Sequence, residues 1–305
     1  GAERGYLRPL DLRESALELV GSTCLRTAGR SEAGRLRLMT YNVHGCVGMD
    51  GRRSAGRIAR VIAQYDPDLV VLQELDAGRA RSGEEDQAGT IAELLRMEHH
   101  YNPALQLAGE SFGDAVLSRL PMRLVRKGGL HREERFRHLE PRGAIWVEIV
   151  AGESAVQVIN THLGLNGRER MLHARELLGE EWLGHPRCRE PALLCGDFNA
   201  FPGTRVFRFL AGELRRAGEG QGRKLRTWPG RYPLVPLDQV FIKGGAEVAR
   251  VEVGDSHLAR IASDHRPLFV DLLLPGGKEA NPAPAFGPGR EGFPSLDRED
   301  SGRFP

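Results

Sequence analysis

Apolar and polar positions switch along the chain between a period of two and a helical period, and the switches mark out its elements. Leu36–Val43 (LRLMTYNV) alternates and reads as a strand. Ile58, Val61, Ile62 and Tyr65 recur at helical spacing, which predicts a helix from about Ser54 to Tyr65, broken by Asp66-Pro67-Asp68. Leu69–Gln73 is a continuous apolar run, as expected of a strand buried on both faces. Thr90–Met97 continues as a helix, and Tyr101–Leu107, Phe112–Ser118 and, more weakly, Pro121–Arg126 read as strands. Gly143–Val150 and Ala155–Thr161 alternate on either side of Ala151–Ser154, predicting an antiparallel pair. A helix over Arg168–Trp182, the apolar run Ala192–Cys195 and a short helix over Gly203–Leu210 come next. Leu237–Ile242, Val248–Val253 and Leu268–Leu274 complete the strands.

The apolar runs end in polar residues of a restricted kind. In PALLCGDFNAFP (191–202) the run closes on Gly196, which suggests a sharp turn and close approach to a ligand. If the strand continues, Asp197 and Asn199 point one way and Phe198 the other. Other strand ends deliver Asn42, Glu74, His162, Asp238, Asp264 and His265. Any one of these has an ordinary explanation as a turn, a cap or the start of a solvated loop. Their recurrence argues for a shared site instead. Carboxylates, amides and imidazoles without a thiol suit Mg²⁺, Mn²⁺ or Ca²⁺ better than zinc.

Composition narrows the class. The chain has 305 residues, 40% of them hydrophobic, and a formal net charge of +2. That balance does not announce a nucleic-acid binder. Lysine occurs only at 127, 224, 243 and 278, so the abundant arginines are discounted as a phosphate signal. No apolar run nears the ~18 residues of a membrane-spanning helix, and no signal-peptide pattern opens the chain. Cys24, Cys46, Cys188 and Cys195 lack metal-site spacing and are expected to be reduced in a cytoplasmic protein. Residues 1–35 form an N-terminal extension, with a short helix through Leu12, Ala16, Leu19 and Val20 after Asp11. Residues 36–274 form the catalytic domain, and the Pro- and Gly-rich 275–305 tail is expected to be disordered.

The blocks TYNVHG, LQELD, GDAVLSR, THLG, GDFNAFPG, LDQVF and SDHRPL, in that order, resemble the endonuclease/exonuclease/phosphatase superfamily. The resemblance implies an α/β fold, a DNase I-like four-layer αββα sandwich of two packed mixed β-sheets with outer helices. It also implies divalent-metal-dependent hydrolysis of a phosphate ester, with Mg²⁺ as the expected ion and Mn²⁺ or Ca²⁺ as alternatives. By the same resemblance, Asn42, Glu74 and Asp264 match the metal site, with Glu74 the principal ligand. Asp197 and Asn199 match residues that orient water and hold the phosphate, and His162 one that contacts a phosphate oxygen. His265 matches the catalytic histidine and Asp238 the carboxylate that orients it. Asp197 and His265 both remain candidates to take the proton of the attacking water.

Arg142, in PRGA, stands where relatives carry a phosphate-contacting Arg, and Trp228 is a candidate wall for the substrate, with Tyr232 nearby. Asp114 replaces a common Asn, which suggests a second cation or repulsion of substrate. Arg170 reads as a surface residue. The phosphoinositide 5-phosphatase signature is missing, and the charged 127–140 segment resembles no membrane-gripping aromatic hairpin. The chain looks most like a bacterial metal-dependent hydrolase branch. The expected partner is a phosphate ester, in a nucleic acid or a phospholipid head group, bound by a monomer. A phosphodiesterase is the leading expectation, with a phosphomonoesterase or an inactive binding module as alternatives.

Overall fold

A computed structural model describes residues 34–107, 109–134, 138–219 and 225–275. The helix expected near Leu12–Val20 and the chain beyond residue 275 lie outside them. The first sheet holds β1 (Arg35–Asn42), β2 (Leu69–Ala77), β3 (Glu98–Leu107), β4 (Glu110–Ser118), β11 (Glu247–Val253) and β12 (Leu268–Leu273). Its order is β11-β12-β1-β2-β4-β3. The second sheet holds β5 (Met122–Gly129), β6 (Gly143–Ala151), β7 (Ser154–His162), β8 (Ala192–Asp197), β9 (Arg215–Arg216) and β10 (Asp238–Lys243), in the order β5-β6-β7-β8-β10-β9. Each sheet is mixed, because β1 and β2 run parallel in one, and β7 and β8 in the other.

Period-two alternation explains the layers. On one face, Leu36, Leu38, Leu69 and Val71 meet Val156, Val158, Leu193, Cys195, Val240 and Ile242 in the core between the sheets. On the outer face of the first sheet, Met39, Tyr41, Val70 and Leu72 pack under helices α1 (Ala55–Tyr65) and α2 (Gln87–Leu95). Helices α3 (Gly167–Leu178) and α4 (Arg205–Glu213) cover Ala192, Leu194 and Phe241 outside the second. Ser54 and Thr204 cap α1 and α4 by accepting the amides of Arg57 and Phe207.

The inward rows turn polar at one pole. Leu36 and Leu38 lead to Thr40 and Asn42, Val156 and Val158 to Asn160 and His162, and Leu193 and Cys195 to Asp197. Ile242 and Val240 lead back to Asp238. Gln73 donates to Thr40 Oγ1 (3.3 Å) and Asn160 Oδ1 (2.7 Å), while Asn160 donates to the carbonyls of Leu72 and Ala115. This buried amide layer pairs the Gln73 amide nitrogen and both ends of Asn160, leaves Gln73 Oε1 without a partner, and forms a floor between the apolar core and the pole above it.

Several boundaries differ from the sequence expectation, and three of them change where a side chain points. Strand β2 does not stop before Glu74 but runs to Ala77 through a register shift between Leu72 and Leu75. Helix α3 ends at Leu178, before Gly179, so Trp182 is buried from the turn that follows rather than from the helix. Strand β8 stops at Asp197; Asn199 takes a left-handed backbone (φ 46°) instead of an extended one.

Candidate active site

Each polar strand end is held by a specific local device. Glu74 lies in the β2 bulge with φ 64°. Strict alternation would send it to the helix side with Val70 and Leu72; the bulge brings it to the pole between the sheets. Asp197 Oδ1 accepts the Asn199 amide (2.8 Å), a tight Asx turn that replaces continued strand and still buries Phe198. Thr227 Oγ1 accepts the amides of Leu237 and Asp238 (3.2 and 3.3 Å), pinning the start of β10. Ser263 donates to Asn42 O (2.8 Å) and accepts from His265 N (3.2 Å), tying the β12 approach to the end of β1.

These devices bring together residues far apart in the chain. Asn42 Nδ2 donates to Glu74 Oε1 (2.9 Å) and to Asp197 Oδ2 (3.0 Å). His44 Nδ1 lies 3.6 Å from both Glu74 Oε2 and Asp264 Oδ1. His265 Nδ1 meets Asp238 Oδ2 at 2.8 Å, and its Nε2 stands 3.6 Å from Asp197 Oδ2. His162 Nδ1 meets Arg142 Nη1 at 3.0 Å, with Glu74 Oε1 3.9 Å away. Its Nε2 faces Asp197 Oδ2 (3.5 Å) and the Asn199 amide nitrogen (3.0 Å), which also donates to Leu163 O. Arginine only donates, so Nδ1 of His162 is the acceptor in that contact.

The electrostatics divide the two histidines. Burial, reinforced by Arg142, pulls His162 down to about 4 against the attraction of Asp197, so it is neutral near pH 7. Burial also works against charge on His265, but Asp238 and Asp197 outweigh it and raise the ring to about 10. For Glu74, burial is overcome chiefly by the hydrogen bonds of His44 and Asn42, which hold it well below the usual carboxylate range. The Glu74 hydrogen bond, opposed by burial and helped by Asp264, raises His44.

Of the residues expected at the site, Asn42, Glu74, Arg142, His162, Asp197, Asn199, Asp238, Asp264 and His265 are joined by these contacts. Trp228 is 38% exposed in the loop leading to Asp238, and Gly230 of that loop donates to Asp264 O (2.6 Å). Arg142 is buried rather than solvated. Arg170 is not a free surface residue: it is half-buried and donates to the carbonyls of Gly164 and Leu165, holding the loop after His162. Burial lifts Asp114 to about 8, which favours its protonated form near neutrality. His44 was not singled out for a role in the sequence, although it stands in the TYNVHG block. Ser263 opens the SDHRPL block without a role assigned to it there, and Thr227 carries no motif of its own.

Among the described residues, no three His, Cys, Asp or Glu side chains gather into a metal-holding group. The oxygens of Glu74 and Asp264, facing one ring nitrogen, suit an ion such as Mg²⁺, which is commonly held by one or two carboxylates plus substrate phosphate.

The chain is similar to several known proteins over most of the described residues. YbhP of Escherichia coli K12, an uncharacterized protein, is 25% identical over 250 residues, spanning 78% of this chain and 96% of that protein. The crystal structure of an endonuclease/exonuclease/phosphatase from Beutenbergia cavernae is 26% identical and superposes with a TM-score of 0.62, covering 79% of this chain and 72% of that one. A mannosyl-6-phosphatase from Bacteroides thetaiotaomicron shares the fold at 20% identity, covering 78% of this chain and 100% of its own, with a TM-score of 0.62. The Endonuclease/Exonuclease/phosphatase family pattern matches residues 39–265, and the chain belongs to that family.

Proposed function

We propose that the protein is a divalent-metal-dependent phosphodiesterase whose site is the pole described above. The observation that carries this reading is the meeting of a carboxylate pair, Glu74 and Asp264, with a carboxylate-oriented imidazole, His265 on Asp238, around Asp197. Glu74, Asp264 and Asn42 would hold Mg²⁺, or Mn²⁺ or Ca²⁺. The ion supplies positive charge against the phosphate oxygens and the leaving group.

The protein's own groups then have separable tasks. Asp238 fixes the His265 tautomer so that Nε2–H faces the pocket and donates to a phosphoryl oxygen. Arg142 holds Nδ1 of the neutral His162, which keeps the ring edge-on to the phosphate beside Asn199. Asp197 orients the attacking water and accepts its proton as the water oxygen bonds to phosphorus and the ester P–O bond breaks. Asn199 steadies the phosphate beside His162. Trp228 borders the entrance and contributes to holding the substrate. The free, buried thiols of Cys46, Cys188 and Cys195 support a reducing, cytoplasmic setting.

The test is hydrolysis of bis-p-nitrophenyl phosphate by the purified chain. Turnover should require Mg²⁺ and stop on chelation. Glu74→Gln and His265→Ala should each lower kcat by roughly 100-fold or more without loss of the folded circular-dichroism spectrum. Full activity of His265→Ala, or turnover that survives chelation, overturns the proposal. Higher kcat/KM on p-nitrophenyl phosphate than on the diester would select the phosphomonoesterase reading.

A further inference from the structure

Exposed apolar side chains gather on the loops around this site. Met49 lies beyond the end of β1, Leu165 follows His162, Phe201 follows Asn199, and Trp228, Tyr232 and Leu234 occupy the loop into Asp238. Leu165 is 70% exposed, Tyr232 71% and Leu234 65%. Strand directions put these loops at one pole: His162 and Asp238 both pair with Asp197, one in parallel and one antiparallel. Met49 N donates to Ile261 O (2.9 Å), bringing its loop to the segment that carries Asp264 and His265. Val150 and Leu273, the other large exposed apolar residues among those described, lie at the opposite pole, where Val150 pairs with Ala155 near the β6–β7 turn and Leu273 with Arg35.

Single exposed apolar residues are ordinary on any surface; a set confined to the rim of one polar pocket is a binding feature. Cations accompany it. The Arg231 guanidinium stacks on Tyr232 (5.7 Å to the ring centre), and Arg52, Arg53, Arg168 and Arg205 are exposed on or beside the same loops. Two acids beside these loops are already engaged, Asp50 with Arg57 and Asp255 with Arg260 and Arg266. Apolar tips flanked by guanidinium groups match a bilayer interface, where the tips enter the acyl boundary and the cations stay at the phosphates. A nucleic acid fits less well. Phe201, Trp228 and Tyr232 offer rings, but the likewise exposed Met49, Leu165 and Leu234 offer none for a base to stack on, and the near-neutral chain has no basic stripe. No helix among the described residues is long and apolar enough to cross a membrane, so these loops would act as a peripheral contact.

We propose that the catalytic pole docks on an anionic phospholipid surface and that the ester cleaved is a head-group ester of a lipid in that surface. The second part rests on the hydrolase reading above; the docking does not.

The experiment is co-sedimentation of the full chain with vesicles of phosphatidylcholine alone or mixed equally with phosphatidylglycerol, followed by release of water-soluble phosphate from the vesicles in Mg²⁺. Binding should favour the anionic vesicles by about tenfold or more. The Met49→Ser/Leu165→Ser/Leu234→Ser variant should lose about tenfold or more of that binding, and of lipid turnover, while keeping its kcat/KM on bis-p-nitrophenyl phosphate. Absence of vesicle binding, equal binding by the variant, equal binding to both vesicles, or turnover of DNA in preference to lipid overturns the proposal. Vesicle binding by a chain inert toward the soluble diester removes the hydrolase reading and the lipid substrate but keeps the docking surface. Activity on the soluble diester without vesicle binding removes the docking and keeps the hydrolase.

Discussion

A Cβ placed on Gly196 would stand 1.8 Å from the carbonyl oxygen of Thr161 on the neighbouring strand β7, at a backbone φ of 138°. The glycine is therefore required by the packing of β8 on β7 next to Asp197. Gly196→Ala should destabilise the fold by roughly 1–3 kcal/mol, measurable by urea denaturation. An unchanged midpoint would mean that β7 and β8 are free to part there. Asp114 gives a second test at this scale. Its carboxyl, raised by burial to about 8, keeps a proton that the unfolded chain releases near pH 4. Between those values the folded state binds more protons, so stability falls as pH rises. Asp114→Asn should flatten that fall and raise the melting temperature at pH 8 by roughly 2 °C or more. Parallel melting curves for both proteins across this range would refute the assignment.

Strands and helices that bury one regular face were readable from their spacing, and β1, β6, β7, β8, β10 and α1 appear within a few residues of expectation. The devices that aim the site residues were not readable, because each breaks the pattern that reveals an element. The bulge at Glu74 inserts one residue without a glycine or proline to mark it, and Asn199 leaves the strand through a hydrogen bond to its neighbour's side chain. Thr227 acts from within a Gly- and Arg-rich stretch that carries no periodicity. Its hydroxyl is the acceptor for two amides at the start of β10, so Thr227→Val should cost about 1–3 kcal/mol in stability. It should also lower kcat through a displaced Asp238–His265 pair, while KM for the diester changes little. Retained kcat would show that Asp238 is held by β10 alone.

At the scale of the molecule, the pocket draws on both sheets: Asn42 and Glu74 from one, His162, Asp197 and Asp238 from the other. The identities of these residues were visible in the sequence as polar ends on apolar runs, and their order supplied the family likeness. Their mutual distances were not visible, since they depend on how two sheets stack across a core that no local pattern describes. The Gln73–Asn160 floor escaped notice for the same reason, because a buried amide shows its purpose only when its partner comes from the facing sheet. Alignment of the site and cohesion of the fold thus rest on one interface.

The antiparallel pairing of β1 with β12 has a further result. Leu274 N donates to Gly34 O (2.6 Å), and Ser154 Oγ to Pro275 O (2.9 Å), so both edges of the described chain meet at the pole remote from the pocket mouth. Any tether or neighbouring module joined at those edges leaves from the pole opposite the candidate site. The molecule can be held from behind with its working face still turned toward whatever it meets.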